Sequence, residues 1–398
     1  MLCVGIDVAK NKHTVAIIDE NGEIRKKPFN ISNTLEGYNS LVNEMGLLGP
    51  KEQIKIGMEA TGHYMTCISK FLVNKGYNVH IYNPFLIHRF KESETNNGAK
   101  TDKLDSIMIA KYVSMHTFAS SPQISYNIEQ IRKITRAKYF LFGDKVRAIN
   151  RLQRYLDEVF PELIPFLNSI YTSKGRHVLE SSTVKYLLSN YALPQKMAGM
   201  RIETAEKLRK MSKGSISFNR FSQLKELGRN SIGQGSDYDE EVIRSLINQI
   251  EIIDSQIDKM SEQLVPLMEK INSPIMTIPG MGINLAATII GEIGDINRFD
   301  NPEKLIKYAG LDVKIYQSGT INLRGKVTKK GSSILRYALA LSVQKMRIHC
   351  PVFYEYYHSK IRQGKHVNVA IIATTRKLIR VIWKMMKTNS VFENIQRN

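Results

Sequence analysis

The sequence predicts an α/β layer over the first third of the chain, then long helices, then a mostly α-helical C-terminal segment. Three observations carry that expectation. Strand-length apolar runs alternate with helix-length stretches as far as Asn83, helical periodicity takes over after Pro122, and lysine and arginine concentrate in the last part of the chain.

In order, strands are expected at roughly 2–8, 13–19, 23–31, 54–60 and 78–83, with the Asn21-Gly22 turn between the second and third. Helices are expected at roughly 34–48 and 63–75, and another starts near Asp102 with Thr101 as its N-cap. Residues 128–159 read as one long helix. After the loop from Gly228 to Asp239, the series Ile243, Leu246, Ile250, Ile253, Ile257, Met260, Leu264 and Leu267 alternates steps of three and four. That is an a/d heptad, and so narrow a seam wants a helical partner: the 128–159 helix, a second copy of the chain, or both. Residues 160–235 are polar, Ser-rich and only weakly periodic. The expected division is 1–125, 126–270 and 271–398: an α/β domain, a helical coiled-coil linker and oligomerisation region, and a basic C-terminal domain.

The 398 residues include 57 Lys+Arg against 37 Asp+Glu, a formal charge of +20, with 42% hydrophobic residues. A chain of this size buries a sufficient core without covalent staples. Cys3, Cys67 and Cys350 are odd in number and far apart, which opposes a secreted disulfide scaffold and a zinc ribbon. The short apolar start runs into Asp7, and no window approaches 18 apolar residues, so a cytoplasmic protein without membrane spans is expected. Residues 314–398 hold seventeen Lys/Arg and only two acids, Glu355 and Glu393. Such a one-sided block is an electrostatic footprint for nucleic acid. Near the C-terminus, Arg376, Arg380, Lys384 and Lys387 share one helix face opposite Ile372, Ile379 and Trp383, and are read as phosphate contacts. Ile278-Pro279-Gly280-Met281-Gly282 feeds a helix that ends near Gly294, an arrangement like that of helix-hairpin-helix elements, which hold phosphate on free backbone N–H groups around Gly280 and Gly282.

The acids carry the chemistry. Asp7 ends the run Leu-Cys-Val-Gly-Ile-Asp and Glu59 ends Ile-Lys-Ile-Gly-Met-Glu, so each lies at a sheet edge. A partly buried carboxylate there costs several kcal/mol, on the order that a cation offsets. Asp102 and Asp105 are three apart at a helix start and share a face. Oxygen-only ligands favour Mg²⁺ or Mn²⁺ over zinc, and two such ions can clamp the attacking and leaving oxygens of a phosphodiester. The nine histidines show no ligand spacing, and glycine-rich nucleotide motifs are absent.

Several motifs together resemble one family, the DEDD-type insertion-sequence transposases. They are Gly5-Ile6-Asp7-Val8-Ala9-Lys10, Met58-Glu59-Ala60-Thr61-Gly62-His63-Tyr64 and Lys100-Thr101-Asp102-Lys103-Leu104-Asp105 near the N-terminus. Ile278 to Gly282, Tyr308-Ala309-Gly310-Leu311, Gln317-Ser318-Gly319, and Lys329-Lys330-Gly331 with Leu335-Arg336 follow in family order. The resemblance implies a RuvC-like (RNase H-like) N-terminal domain, related to Holliday-junction resolvases, whose metal-bound acidic tetrad works with a nucleophilic serine from the C-terminal domain. The motif match places that serine at Ser318. Ser332 and Ser333 are rivals in the same segment, although a helix cap explains them. Arg324, Lys326, Lys329 and Lys330 follow closely enough to neutralise charge on a scissile phosphate, and Arg336 joins them as a nucleic-acid contact. The resemblance further implies a bridge RNA that pairs with donor and target DNA, a dimer or tetramer held through helices, and a prokaryotic, nucleoid-associated setting. The expected activity is insertion-sequence transposition through a phosphoserine intermediate. The alternatives are a metal-dependent Holliday-junction-type endonuclease with no covalent step and a nucleic-acid-binding protein with degenerate acids.

Overall fold

A strand buried on both faces reads as an unbroken apolar run, as Leu2-Cys-Val-Gly-Ile does before Asp7. The computed structural model describes residues 1–60, 64–82, 84–94, 101–116, 126–171, 177–318 and 321–393. In it that run is strand β1 (Leu2–Asp7), antiparallel to β2 (Lys12–Asp19) and parallel to β4 (Ile54–Glu59). With β3 (Ile24–Ser32) and β5 (Asn78–Tyr82) the sheet order is β3-β2-β1-β4-β5. Charged Arg25, Lys26 and Lys27 and the donor-less Pro28 suit β3 to the sheet edge.

Successive residues of a strand face opposite ways. Val4 and Ile6 of β1, with Ile54, Ile56 and Met58 of β4, pack on α1 (Leu35–Leu48) and α2 (Met65–Asn74) through Tyr38, Leu41, Met45, Ile68 and Leu72. The alternate residues Cys3 and Gly5 face the other layer, where α3 (Pro84–Glu94) and α4 (Asp102–Met115) supply Ile87, Ile109, Tyr112 and Val113. Gly5 and Gly57 are register partners across β1 and β4. A Cβ on Gly5 would collide with the Ser106 carbonyl oxygen and Ala110 amide nitrogen, and one on Gly57 with the Val113 side chain. These two glycines let α4 rest its backbone on the sheet.

Gly5→Ala is therefore expected to cost about 3 kcal/mol or more, because the obstruction is helix backbone that cannot rotate away. Gly57→Ala meets a side chain and should cost less, roughly 1–3 kcal/mol. Denaturant melts of the two variants check the order, and equal, small losses would contradict the close approach.

The contacts divide the chain at Gln123, and the second unit runs from Ile124. Its frame is two long helices, α5 (Tyr126–Val159) and α11 (Asp237–Ile271), packed along each other. A capping box starts α11, with Ser236 Oγ accepting from the Asp239 N–H, and Asn272 in the left-handed region ends it. Its inward stripe is Ile243, Ile247, Ile250, Ile253, Ile257, Leu264 and Met268. At two points the stripe moves one residue off the expected heptad, from Leu246 to Ile247 and from Leu267 to Met268. Helices α7 (Ser182–Tyr191) and α12 (Ile283–Ile293) also pack on α11, so the buried face is broader than a two-helix seam.

Residues 160–235, weakly periodic in the sequence, are mostly helical where described and build a core. Helix α6 (Leu163–Ile170), α7, α8 (Pro194–Ala198), α9 (Ile202–Met211) and α10 (Phe218–Arg229) bury Leu163, Leu187, Met197, Leu208, Phe221 and Leu224 against Leu152, Leu156 and Ile243. Elements this short complete too few turns for a helical period to emerge.

The remaining elements are α13 (Pro302–Tyr308), strands β6 (Val313–Ser318) and β7 (Ile321–Val327), α14 (Ser333–His349), α15 (Pro351–Arg362) and α16 (Val367–Thr388). The β6–β7 hairpin is a strand pair for which the sequence raised no expectation within this mostly α-helical part. Among the described residues no helix is long and apolar enough to cross a membrane.

Candidate active site

Asp7 and Glu59 are the last residues of adjacent parallel strands. The β1–β4 register pairs Ile6 with Met58, so these two acids fall one step further along, at the same sheet edge. Each is two residues beyond a glycine under α4, so strand alternation turns both toward the α4 layer. Thr101 caps α4, its Oγ1 accepting the Leu104 N–H at 3.2 Å, which places Asp102 and Asp105 in the first turn where the helix dipole favours negative charge. Burial, reinforced by Asp105, Asp102 and Glu59 and opposed by Lys91, pushes the Asp7 carboxyl up to about 6. A group so raised is a reasoned candidate for function.

A third element enters this edge from α3. Lys91 Nζ lies 2.9 Å from Asp105 Oδ1, with both side chains largely buried. Among the described residues no three His, Cys, Asp or Glu side chains converge tightly enough to hold a metal ion. The donor set nevertheless fits one in kind: hard oxygen ligands on two strand ends and a helix start, with the Asp7 carboxyl raised by burial and by its acidic neighbours, and an ammonium already drawn to Asp105.

Behind Asp7 the β1–β2 turn is fixed by His13, which sequence reasoning passed over. The Ala9 N–H donates to His13 Nδ1 at 3.2 Å, so Nε2 carries the proton and donates to Asn33 Oδ1 at 3.3 Å. Burial lowers the imidazole pKa, which keeps the ring neutral. Asn33 Nδ2 in turn donates to Lys10 O at 2.9 Å. The only hint in the sequence was a histidine inside an apolar strand.

In the second unit, described by itself, Ser318 ends β6 and pairs with Ile321. The side chains of Ser318, Arg324 and Lys326 lie outside the described residues, as do Thr61, Gly62, His63, Lys100 and Gly319 of the motifs. The base of the hairpin is well defined. Tyr308-Ala309-Gly310 and Lys329-Lys330-Gly331-Ser332 clasp each other: Lys329 N donates to Gly310 O at 3.1 Å, Ser332 N to Tyr308 O at 3.0 Å, and Arg336 Nη1 to Ala309 O at 3.0 Å. Gly310 and Lys329 both take positive φ, and a Cβ on Gly331 would collide with the Tyr308 carbonyl. Ser332 acts as the α14 cap, its Oγ accepting from Leu335 N at 3.1 Å, while Ser333 opens that helix.

At the centre of this clasp is Glu292, a fully buried carboxylate on α12. Arg136 holds it with two hydrogen bonds of 2.6 and 3.2 Å, and Ser332 Oγ donates to it at 2.8 Å. Tyr308 Oη donates to its backbone carbonyl at 3.2 Å. Burial alone would raise its pKa; the Arg136 and Ser332 bonds outweigh that and hold it below the usual range. Sequence analysis missed Glu292, although a lone acid in the run Ile289-Ile290-Gly291-Glu292-Ile293 was the available signal. Because its native pKa is depressed, the stability it contributes is complete above the ordinary glutamate range and is lost as pH falls through the lower native value. Glu292→Gln is expected to cost about 3 kcal/mol at neutral pH and to flatten the decline in stability below about pH 4.5, both read from melts across pH. A variant as acid-sensitive as the parent would contradict this.

The other expected nucleic-acid contacts are placed as follows. Gly280 (φ 87°) and Gly282, the α12 N-cap, line an open depression with Lys345 and His349. On α16, Arg380 pairs with Glu303 at 2.8 Å and Arg376 with the same carboxylate at 3.8 Å, so part of that stripe is already neutralised. Lys384 is exposed, and Lys387 Nζ donates to Asn297 Oδ1 at 3.2 Å. Trp383 lies on the Lys387 side, with the Lys387 ammonium 6.0 Å from its ring centroid and its Nε1 donating to Phe299 O at 2.8 Å, which corrects the expectation that it sits opposite the basic stripe: residues four apart share a helix face.

Comparison with known proteins agrees with this layout. Residues 4–161 match a family model described as a DEDD transposase of the IS110 type, and residues 272–358 match one described as a transposase of the IS116/IS110/IS902 family. The 44.8 kDa protein of insertion element IS116 from Streptomyces clavuligerus is 23% identical over 98% of this chain and 95% of its own length. The 43.6 kDa protein of IS110 from Streptomyces coelicolor is 25% identical over 74% of this chain and 73% of its own. A pilin gene-inverting protein of Moraxella bovis is 22% identical over 98% of this chain and 97% of its own. With both the acidic N-terminal part and the clasped C-terminal part matched in order, the chain belongs to the IS110/IS116 family of DEDD-type insertion-sequence transposases.

Proposed function

We propose that this protein is a site-specific DNA recombinase of an insertion sequence, cutting and rejoining phosphodiesters with Asp7, Glu59, Asp102 and Asp105 as the acidic centre and Ser318 as nucleophile. The observation that carries the first part is the α4 seat on Gly5 and Gly57, which sets two helix-borne acids beside the ends of two parallel strands. This is the layout expected of a RuvC-like domain. The four carboxylates would hold Mg²⁺ or Mn²⁺, which would supply Lewis-acid stabilisation of the phosphodiester. His13 keeps the Asp7 turn in place, and α4 fixes Asp102 and Asp105 relative to the strand ends.

In the reaction a bond forms between Ser318 Oγ and phosphorus while a phosphorus–deoxyribose oxygen bond breaks. The serine hydroxyl gives up a proton and the leaving oxygen gains one. Attack of another DNA hydroxyl on the phosphoserine reverses these changes and rejoins a strand. The lysines and arginines after Ser318, namely Arg324, Lys326, Lys329, Lys330 and Arg336, and the elements around Gly280, Gly282 and α16 serve as phosphate contacts to DNA or to a structured bridge RNA. The coiled-coil reading of 126–270, with α5 and α11 exposing further faces, serves a homo-oligomer.

The test is to incubate the full-length protein and its co-purifying RNA with DNA carrying the element's ends, with Mg²⁺ or with EDTA, and to resolve the products under denaturing conditions. A protease-sensitive protein–DNA adduct that needs Mg²⁺ is expected. Mg²⁺-dependent cutting without any adduct would instead indicate a hydrolytic junction nuclease, and no cutting would indicate a binding protein.

A further inference from the structure

The acidic edge holds a cation of the protein's own. Lys91 is not a loose surface lysine: Ile87, one turn earlier on α3, is fully buried, and neighbouring Phe90 packs edge-on against Tyr112 of α4 with ring centroids 5.3 Å apart. Residues four apart lie on one helix face, so anchoring Ile87 against α4 carries Lys91 to the same side, toward the start of α4. Its Nζ reaches Asp105 at 2.9 Å, with side-chain exposures of 22% for Lys91 and 14% for Asp105. The acids meanwhile do not converge into a three-ligand set.

We propose that Lys91 is an exchangeable counter-cation of this site: its ammonium neutralises Asp105 while no divalent ion is bound, and shifts from Asp105 toward the phosphodiester when the ion enters. This rests on the reading of the acids as a metal site. A fixed ammonium beside a ligand opposes a second cation there, because an ion must either bear the repulsion or break the pair. After that shift the lysine is a flexible point charge suited to a phosphate oxygen. A purely structural Lys91–Asp105 pair would only tie α3 to α4 and would leave metal affinity unchanged.

The experiment is Mg²⁺ titration by calorimetry on the full-length protein, comparing the parent with Lys91→Gln, Lys91→Arg and Asp7→Asn. Lys91→Gln is expected to bind Mg²⁺ tighter by about fivefold or more, whereas Lys91→Arg, which keeps the charge, should bind about as the parent does. In the unmodified protein, acetylation of Lys91 followed by mass spectrometry should be slow without Mg²⁺ and faster with it, a readout that needs no variant to fold. Unchanged or weaker affinity in Lys91→Gln, or Lys91 labelling indifferent to Mg²⁺, would overturn the proposal. Asp7→Asn separates the two levels. If it leaves Mg²⁺ binding intact, the metal-site reading itself fails. If it abolishes binding while Lys91→Gln does not strengthen it, only the role of Lys91 fails.

Discussion

Asp7→Asn is expected to reduce DNA strand cleavage by about 10³-fold or more while leaving the fold intact. The substitution keeps shape and some hydrogen-bonding capacity but removes a charge that sits between a sheet end and α4. Its carboxyl already titrates near 6 because burial and neighbouring acids disfavour the anion. At neutral pH the ionised form therefore opposes folding, so a neutral amide should leave the melting temperature unchanged or raise it. Loss of cleavage with preserved or increased stability is a pattern that a structural carboxylate would not give. Cleavage within a few-fold of the parent would remove Asp7 from the reaction, and a large drop in melting temperature would recast it as a folding residue.

Ser318→Ala is expected to eliminate the covalent protein–DNA adduct and to lower strand transfer by about 10⁴-fold, since removing the nucleophile of a covalent mechanism leaves only binding and electrostatic stabilisation. Ser332 offers an internal comparison. Its Oγ caps α14 and donates to Glu292, so Ser332→Ala should cost stability, about 1–2 kcal/mol, and retain the adduct. An adduct that survives in Ser318→Ala and disappears in Ser332→Ala would transfer the nucleophile's role to the helix cap.

Much of the first unit was legible in the sequence because each strand there is a short apolar run with its turn chemistry beside it. Asp7, Glu59 and the Thr101 cap could be located to the residue. What the sequence concealed was the reason the acids share a side. Gly5 and Gly57 are unremarkable glycines in strands until their register and the approach of α4 are known. Lys91 was hidden for a related reason: its position depends on how α3 lies on α4, a tertiary contact made through Ile87 and Phe90.

In the second unit the strong periodicity of α11 was visible, whereas the short helices between α5 and α11 were not. The β6–β7 hairpin had a local signal, with Val313 and Ile315 alternating on one strand and Ile321 and Leu323 on the other around Gly319, but the basic character of the segment drew the reading toward a charged surface. The clasp at the hairpin base joins residues about twenty apart through backbone bonds. Its buried centre, Glu292, pairs with Arg136, which lies far away in sequence. Long-range polar pairings of this kind leave no periodic trace.

The most direct measurement is anomalous scattering at the manganese edge from crystals of the full-length protein grown with Mn²⁺. An anomalous peak bounded by the carboxylates of Asp7, Glu59, Asp102 and Asp105, with Lys91 moved off Asp105, is the predicted result. Manganese bound elsewhere while Asp105 keeps its lysine would contradict it.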